Sequence, residues 1–205
     1  MLKNIIFDLG GVIYDIRYEN IAEAFVKMGA GNLVSLYSKS QQSDFIDLFE
    51  EGRITSSAFC EEIRRLSAVS LTDAQITEAW NAILIDVPRE RVDFLLKLKE
   101  KYNLYLFSNT NAINYDCFVP YLRAKFGFDF FPTLFKAAYF SHILQIRKPK
   151  PEGFQRIIEE QRLNPSETLF IDDSPQHIAG ASQCGLRTHH LHNDEKIESL
   201  CYETL

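Results

Sequence analysis

The stretch that decides the fold is Asn4-Ile5-Ile6-Phe7-Asp8-Leu9-Gly10-Gly11-Val12. A short apolar run ends in an acid and two glycines. Unbroken apolarity, rather than alternation, suits a strand covered on both faces, as in a parallel sheet. Two glycines directly after such a strand signal a tight turn or a close approach of backbone to ligand. Asp8 alone would read as an ordinary turn acid. At the tip of a buried strand its carboxylate can attack phosphorus and form an aspartyl phosphate.

The same texture recurs downstream. Leu104-Tyr105-Leu106-Phe107, Ala137-Ala138-Tyr139-Phe140 and Thr168-Leu169-Phe170-Ile171 read as buried strands, with a weaker fifth at Arg187-Thr188-His189-His190-Leu191. Helical periods separate them. Ile21, Ala24, Phe25 and Met28 follow i, i+3, i+4, i+7, and so do Ile76, Ala79, Trp80 and Ile83 behind a capping box of Thr72 and Gln75. Phe59, Cys60, Ile63 and Leu66 form a stripe after a cap at Thr55; Val92, Leu95 and Leu96 form another. Phe154, Ile157 and Ile158 follow Pro151, which suits a first helical turn.

The order of these elements matters more than their number. Between the first strand and the next lies a stretch, 15–88, that reads as helix only. The expected architecture is α/β: a Rossmann-like parallel sheet core, 1–14 and 89–205, with a helical cap at 15–88 inserted after the first strand. The cap is expected over the carboxyl ends of the strands, where open α/β sheets bind ligands.

Composition narrows the function classes. The chain has 205 residues, which fits one domain or one domain with an insert at roughly 100–200 residues each. Lys plus Arg is 22 and Asp plus Glu is 28, a formal charge of −6, so binding to nucleic acid or to an anionic membrane has no electrostatic basis. No run approaches the roughly 18 apolar residues of a membrane span. Asp8 interrupts the start too early for a signal peptide. Cys60, Cys117, Cys184 and Cys201 stand singly, without a C-x-x-C pair, so a cytosolic (cytoplasmic) protein with reduced thiols is expected.

Each expected strand ends in polar residues: Asp8, then Ser108-Asn109, then Lys148-Pro149 after the third strand, then Asp172-Asp173. In a parallel sheet these ends meet in one crevice. Adjacent acids repel unless a cation sits between them, and hard oxygens from two strand ends suit Mg²⁺. Ser108 and the Asn109 amide suit phosphoryl oxygens, and Lys148 would offset the charge of nucleophile and phosphate. Singly, Ser108-Asn109-Thr110 is a plain turn, Lys148 a surface lysine, and Asp173 the residue before a capping Ser174. The shared order argues against that coincidence.

Asp8-Leu9-Gly10-Gly11-Val12, Ser108-Asn109, Lys148-Pro149-Lys150-Pro151-Glu152-Gly153-Phe154 and Phe170-Ile171-Asp172-Asp173-Ser174 together resemble the four motifs of the haloacid-dehalogenase-like (HAD) hydrolase superfamily. Within it the chain is similar to the bacterial group containing glucose-1-phosphate phosphatases. The resemblance covers nearly the whole chain and implies a four-helix cap. It implies Asp8 as nucleophile, Lys148 as its charge-balancing partner, and Ser108, Asn109, Gly10 and Gly11 around the phosphate. It implies Mg²⁺ held by Asp8, the Gly10 carbonyl and Asp173, with Asp172 close by. The implied activity is Mg²⁺-dependent hydrolysis of a small-molecule phosphate ester, a sugar phosphate.

One departure stands out. Family phosphatases usually place a second Asp two residues after the nucleophile, to protonate the leaving oxygen. Here that residue is Gly10, and loss of a positioned acid forfeits about 10²–10⁴ in rate. The similar glucose-1-phosphatase group also carries Gly there. The reading drawn is a substrate with a good leaving group, such as a sugar 1-phosphate; Asp15 or a cap residue as replacement acid is the alternative. A 2-haloacid dehalogenase, or a phospho-ligand-binding protein with weak hydrolysis, are the rival functions. For specificity, Tyr14, Arg17 and Tyr18 follow the nucleophile loop, and Arg53 lies in Glu51-Gly52-Arg53-Ile54-Thr55 between expected cap helices. His189, His190 and His192 sit in an expected strand where neighbours face opposite ways, which argues against a metal cluster.

Overall fold

The computed structural model describes residues 1–36, 44–192 and 195–203. Five strands, β1 (Asn4–Phe7), β4 (Asn103–Ser108), β5 (Ala137–Phe140), β6 (Thr168–Asp172) and β7 (Arg187–His190), form one sheet in the order β5-β4-β1-β6-β7. All its pairings are parallel. A separate antiparallel pair joins β2 (Asp15–Ile16) to β3 (Leu84–Asp86).

The continuous apolar runs have a physical cause visible in the packing. Ile5, Phe7, Leu104, Leu106, Leu169 and Ile171 point to one face of the sheet. Ile6, Tyr105, Phe107 and Phe170 point to the other. Both faces are covered. Helices α5 (Arg89–Leu98), α6 (Ala112–Phe126) and α7 (Phe130–Leu134) contribute Val92, Leu95, Phe118 and Phe131 to the first face. Helices α9 (Pro151–Glu160) and α10 (Pro175–Gln183) contribute Phe154, Ile157 and Ala181 to the second. A short α8 (Ser141–Leu144) follows β5.

Between β2 and β3 lie α1 (Glu19–Lys27), α2 (Asp44–Glu50), α3 (Ser56–Leu66) and α4 (Asp73–Asn81), with a 3-10 turn at Gly31–Leu36. They enclose their own core, in which Phe25, Phe49, Phe59, Ile63, Ile76 and Trp80 are buried. Phe59 stacks on Phe49 at 4.3 Å and meets Trp80 edge-on at 4.6 Å. Local sequence sets the helix starts. Thr55 accepts a hydrogen bond from the Ala58 N–H at 3.1 Å, and Thr72 and Gln75 close a reciprocal capping box. The β2·β3 pair clasps the two chain segments that enter and leave this helical layer.

Candidate active site

Asp8 follows β1 directly, and its backbone N–H donates to the Ile171 carbonyl at 2.9 Å, extending the ladder by one residue. The chain then turns sharply: the Leu9 carbonyl accepts from Ile13 and Tyr14 N–H at 2.8 and 2.7 Å. Gly11 has φ +77°, and a Cβ there would lie 2.4 Å from Asp173 Oδ2. Only glycine lets this turn press against Asp173.

Lys148 carries the charge structure of the site. Its side chain is 0 % exposed, and Nζ lies 2.7 Å from Asp8 Oδ1 and 2.6 Å from Asp172 Oδ2. The alternative of a solvated surface lysine does not hold. Asn109 fixes the loop that bears it, donating from Nδ2 to the Lys148 carbonyl at 2.9 Å and accepting the Lys148 N–H at 2.8 Å. The side-chain amide of Asn109 is thus turned to Lys148.

Asp172 is wholly buried. Besides Lys148 it accepts the Ser174 N–H at 2.8 Å, and His177 Nδ1 lies 2.9 Å from its Oδ1. The sequence led to the expectation of a metal between the two adjacent acids. The cation that the structure sets on Asp172 is the Lys148 ammonium, and Ser174 serves α10 through its backbone, without a side-chain cap bond. Asp8, Asp172 and His177 offer ligand atoms within 4.8 Å of one another, but Lys148 already holds both carboxylates.

The electrostatics follow from burial. Desolvation pushes Asp8 up to about 8; Lys148 opposes this, and Asp172 and Asp173 add to it. Burial also works on Asp172, but Lys148 and His177 outweigh it and hold its carboxyl at about 2. Lys148 loses hydration on burial, yet Asp172 and Asp8 keep its pKa above the ordinary value. Burial and then Lys148 push His177 down.

Asp8, Gly10, Ser108, Asn109, Lys148 and Asp173 line one cavity of about 270 Å³ at the carboxyl ends of the strands. Tyr14 and Tyr18 line it as well. Burial raises both phenols, but their neighbours differ. Tyr14 faces Tyr121, Cys117 and Asp86, whereas Tyr18 faces Asp173, Glu50, Asp8 and Asp172. A Cβ at Gly10 would meet the Cδ1 methyl of Ile16 at 2.9 Å.

Other expected residues lie elsewhere. Arg17 is half-exposed and pairs with Glu19 and Glu23. Arg53 is half-exposed and pairs with Glu51. The turn that bears Arg53 docks on α8, where Gly52 (φ +64°) approaches the His142 carbonyl. Asp15 pairs with Arg91 at 2.8 Å and does not reach the cavity. His189 lies 3.3 Å from Glu195, and His190 Nε2 lies 3.2 Å from the Asp173 carbonyl.

Sequence reasoning missed the roof of the cavity. Asp47 and Glu50 of α2 line it, together with Arg147, which ion-pairs with Asp47 and lies 2.9 Å from Glu50. It also missed His177. The Asp47–Glu50 spacing of three on an amphipathic helix was a readable hint, but nothing local points to a partner a hundred residues away.

These features have counterparts in known proteins. A model of the haloacid dehalogenase-like hydrolase family matches residues 2–185. D-ribitol-5-phosphate phosphatase of Bacteroides thetaiotaomicron is 32% identical over 191 residues, covering 92% of this chain and 91% of the relative. A HAD-family enzyme of the same organism, solved as an aspartate-to-alanine variant with magnesium and inorganic phosphate, superposes with TM-score 0.88 at 34% identity over 96% of this chain and 97% of its own. A HAD-like hydrolase from Porphyromonas gingivalis superposes with TM-score 0.80 at 29% identity over 95% and 93%. Strand order, cavity and family match agree: this chain belongs to the haloacid dehalogenase-like hydrolase family.

Proposed function

We propose that the chain is a Mg²⁺-dependent phosphatase of small sugar or polyol phosphates, working through an aspartyl phosphate on Asp8, with residues 15–88 as its lid. The observation that carries this reading is the buried Lys148 ammonium held between Asp8 and Asp172, on the floor of a cavity that Ser108 and Asp173 also line. Such a floor offers a nucleophile, a fixed positive charge and hydroxyl and backbone donors to one phosphoryl group. The named activity of the Bacteroides relative and the magnesium and phosphate in the similar solved structure support the same direction.

Asp8 attacks phosphorus, the bond to the ester oxygen breaks, and the leaving alkoxide takes its proton from solvent water, since Gly10 has none to give. Water then attacks the aspartyl phosphate, releasing inorganic phosphate and restoring the carboxylate. Lys148 balances charge on Asp8 and the phosphoryl oxygens; Ser108 and the Asn109 backbone N–H hold those oxygens, while the Asn109 side chain keeps Lys148 in place. Asp172 and His177 position Lys148. The chemistry of the donors fits a hard divalent ion: Asp8 and Asp173 carboxylates and the Gly10 carbonyl, with Gly11 bare so that Asp173 can close on the turn. When bound, Mg²⁺ would favour the ionised form of Asp8 and neutralise phosphoryl charge.

The leaving group is the finer question. A sugar 1-phosphate departs with little need of a proton, which suits Gly10; ribitol 5-phosphate is a primary-alcohol ester and needs one. Phosphate release should be measured over a panel of 1-, 5- and 6-phosphates, with and without Mg²⁺, beside Asp8→Asn. Mg²⁺-dependent release that falls on the order of 10⁴-fold or more in Asp8→Asn is expected. Halide release from a 2-haloacid after full chelation would replace this reading with a dehalogenase. Ligand binding by Asp8→Asn with no turnover of any ester by the unaltered protein would replace it with a binding protein.

A further inference from the structure

The loop after β4, Ser108 to Asn111, carries donors for the phosphoryl group, and other side chains hold it in shape. One hydroxyl pins Thr110: its N–H donates to Ser141 Oγ at 2.9 Å, and its carbonyl accepts from the same Oγ at 2.9 Å. Ser141 is wholly buried. Asn111 caps α6, accepting the Asn114 N–H at 3.0 Å. From there a chain of amides leaves the sheet layer. Asn111 Nδ2 donates to Asn114 Oδ1 at 2.7 Å. Asn114 Nδ2 donates to Asn81 Oδ1 at 2.9 Å and to the Trp80 carbonyl at 3.4 Å. Trp80 and Asn81 are the last two residues of α4, a helix of the lid.

The direction of this chain is set at both ends. The Asn114 backbone N–H can only donate, and the Trp80 carbonyl can only accept. The Asn114 side chain therefore turns its nitrogen to the lid and its oxygen to Asn111. Asn111 and Asn114 are 2 % and 7 % exposed, and both line the cavity. A lid drawn away from α6 would strand a buried donor, which costs more than the bond itself gains. We propose that Asn114 is a positioning residue that joins the seating of the lid to the binding of the phosphoryl group. With the lid in place, the amide chain holds the start of α6, and the loop before it, in the arrangement that receives phosphoryl oxygens. By reciprocity, a phosphoryl group on the loop favours the seated lid. The inference rests on the phosphatase reading for what the loop binds.

Cutting the link reduces the fraction of molecules ready to bind and leaves the chemistry after binding intact. The test measures the Kd of inorganic phosphate in Mg²⁺ by calorimetry, beside KM and kcat on p-nitrophenyl phosphate. Asn114→Leu removes the bridge. Asn81→Ala removes its acceptor from a half-buried position on the lid, where folding is not at stake. In each, the phosphate Kd and KM should rise together by about fivefold, with kcat within about twofold of the unaltered protein. The double variant should bind no more weakly than Asn114→Leu alone, because both changes break one bond. A merely structural role lowers Tm and kcat and leaves Kd and KM unchanged, which overturns the proposal. So do losses that multiply in the double variant. If the unaltered protein binds phosphate but turns over no ester, the phosphatase reading falls, and the Kd comparison still decides the link. If it does not bind phosphate, both fall.

Discussion

In the proposed reaction, Gly10 would be the residue at which catalysis and substrate meet, because a glycine there gives the leaving oxygen no positioned acid. The atom nearest the direction of a Cβ is the terminal methyl of Ile16. That methyl can rotate aside, so Gly10→Asp should fold. If protonation of the leaving group limits turnover, Gly10→Asp raises kcat for 5- and 6-phosphates by at least about tenfold and for 1-phosphates much less. Equal effects on both classes would remove the leaving-group argument. Asp172 gives a prediction of another kind. Its folded pKa of about 2 lies below the ordinary 3.8. The stability it contributes is therefore complete above the ordinary carboxylate range and is lost as pH falls toward 2. Asp172→Asn leaves Lys148 short of a partner, so Tm at pH 7 should drop and the decline of Tm between pH 4 and pH 2 should flatten.

At the scale of elements, the turn between α2 and α3 holds the helical layer to the sheet layer. Gly52 is in the left-handed region, and a Cβ there would lie 2.1 Å from the His142 carbonyl. Glu51 beside it pairs with Lys150 of the core. Gly52→Ala should cost about 2 kcal/mol or more, a fall of about 4–8 °C in Tm for a chain of this size, and should raise KM by unseating α2. An unchanged Tm and KM would show that the turn adapts. These contacts also mark the limit of what the sequence discloses. The strands were legible because both faces of the sheet are buried, so the middles of β1, β4 and β6 are continuous apolar runs. The helix caps at Thr55 and Thr72 were legible because their bonds are local. The convergence of Asp8, Ser108 and Asp173 was legible because parallel strands carry their ends to one rim, and the loop after α8 brings Lys148 to the same place. Arg53 and Arg17 were misplaced because position between or after elements says nothing of where a long side chain finds its partner. Arg147, Asp47 and Glu50 were missed for the converse reason: their pairing spans a hundred residues and depends on how one layer closes on another.

The described residues form three apolar clusters, one on each face of the sheet and one within the helical layer, and the cavity lies where the helical layer meets the sheet. Lys148 stands at this junction, between the rings of Phe107 and Phe170 at 5.6 and 5.4 Å. Side chains such as Lys3 and Lys101 are 62 % and 71 % exposed, whereas that of Lys148 is 0 % exposed. Its amine is thus both sealed from reagents and held protonated, and acylation requires a free, accessible amine. In a time course with an acetylating reagent read by peptide mass spectrometry, most surface lysines should saturate early while Lys148 stays unmodified until the chain opens. Loss of activity should track the Lys148 peptide and no other, making one buried amine a chemical clock for the unfolding of the entire protein.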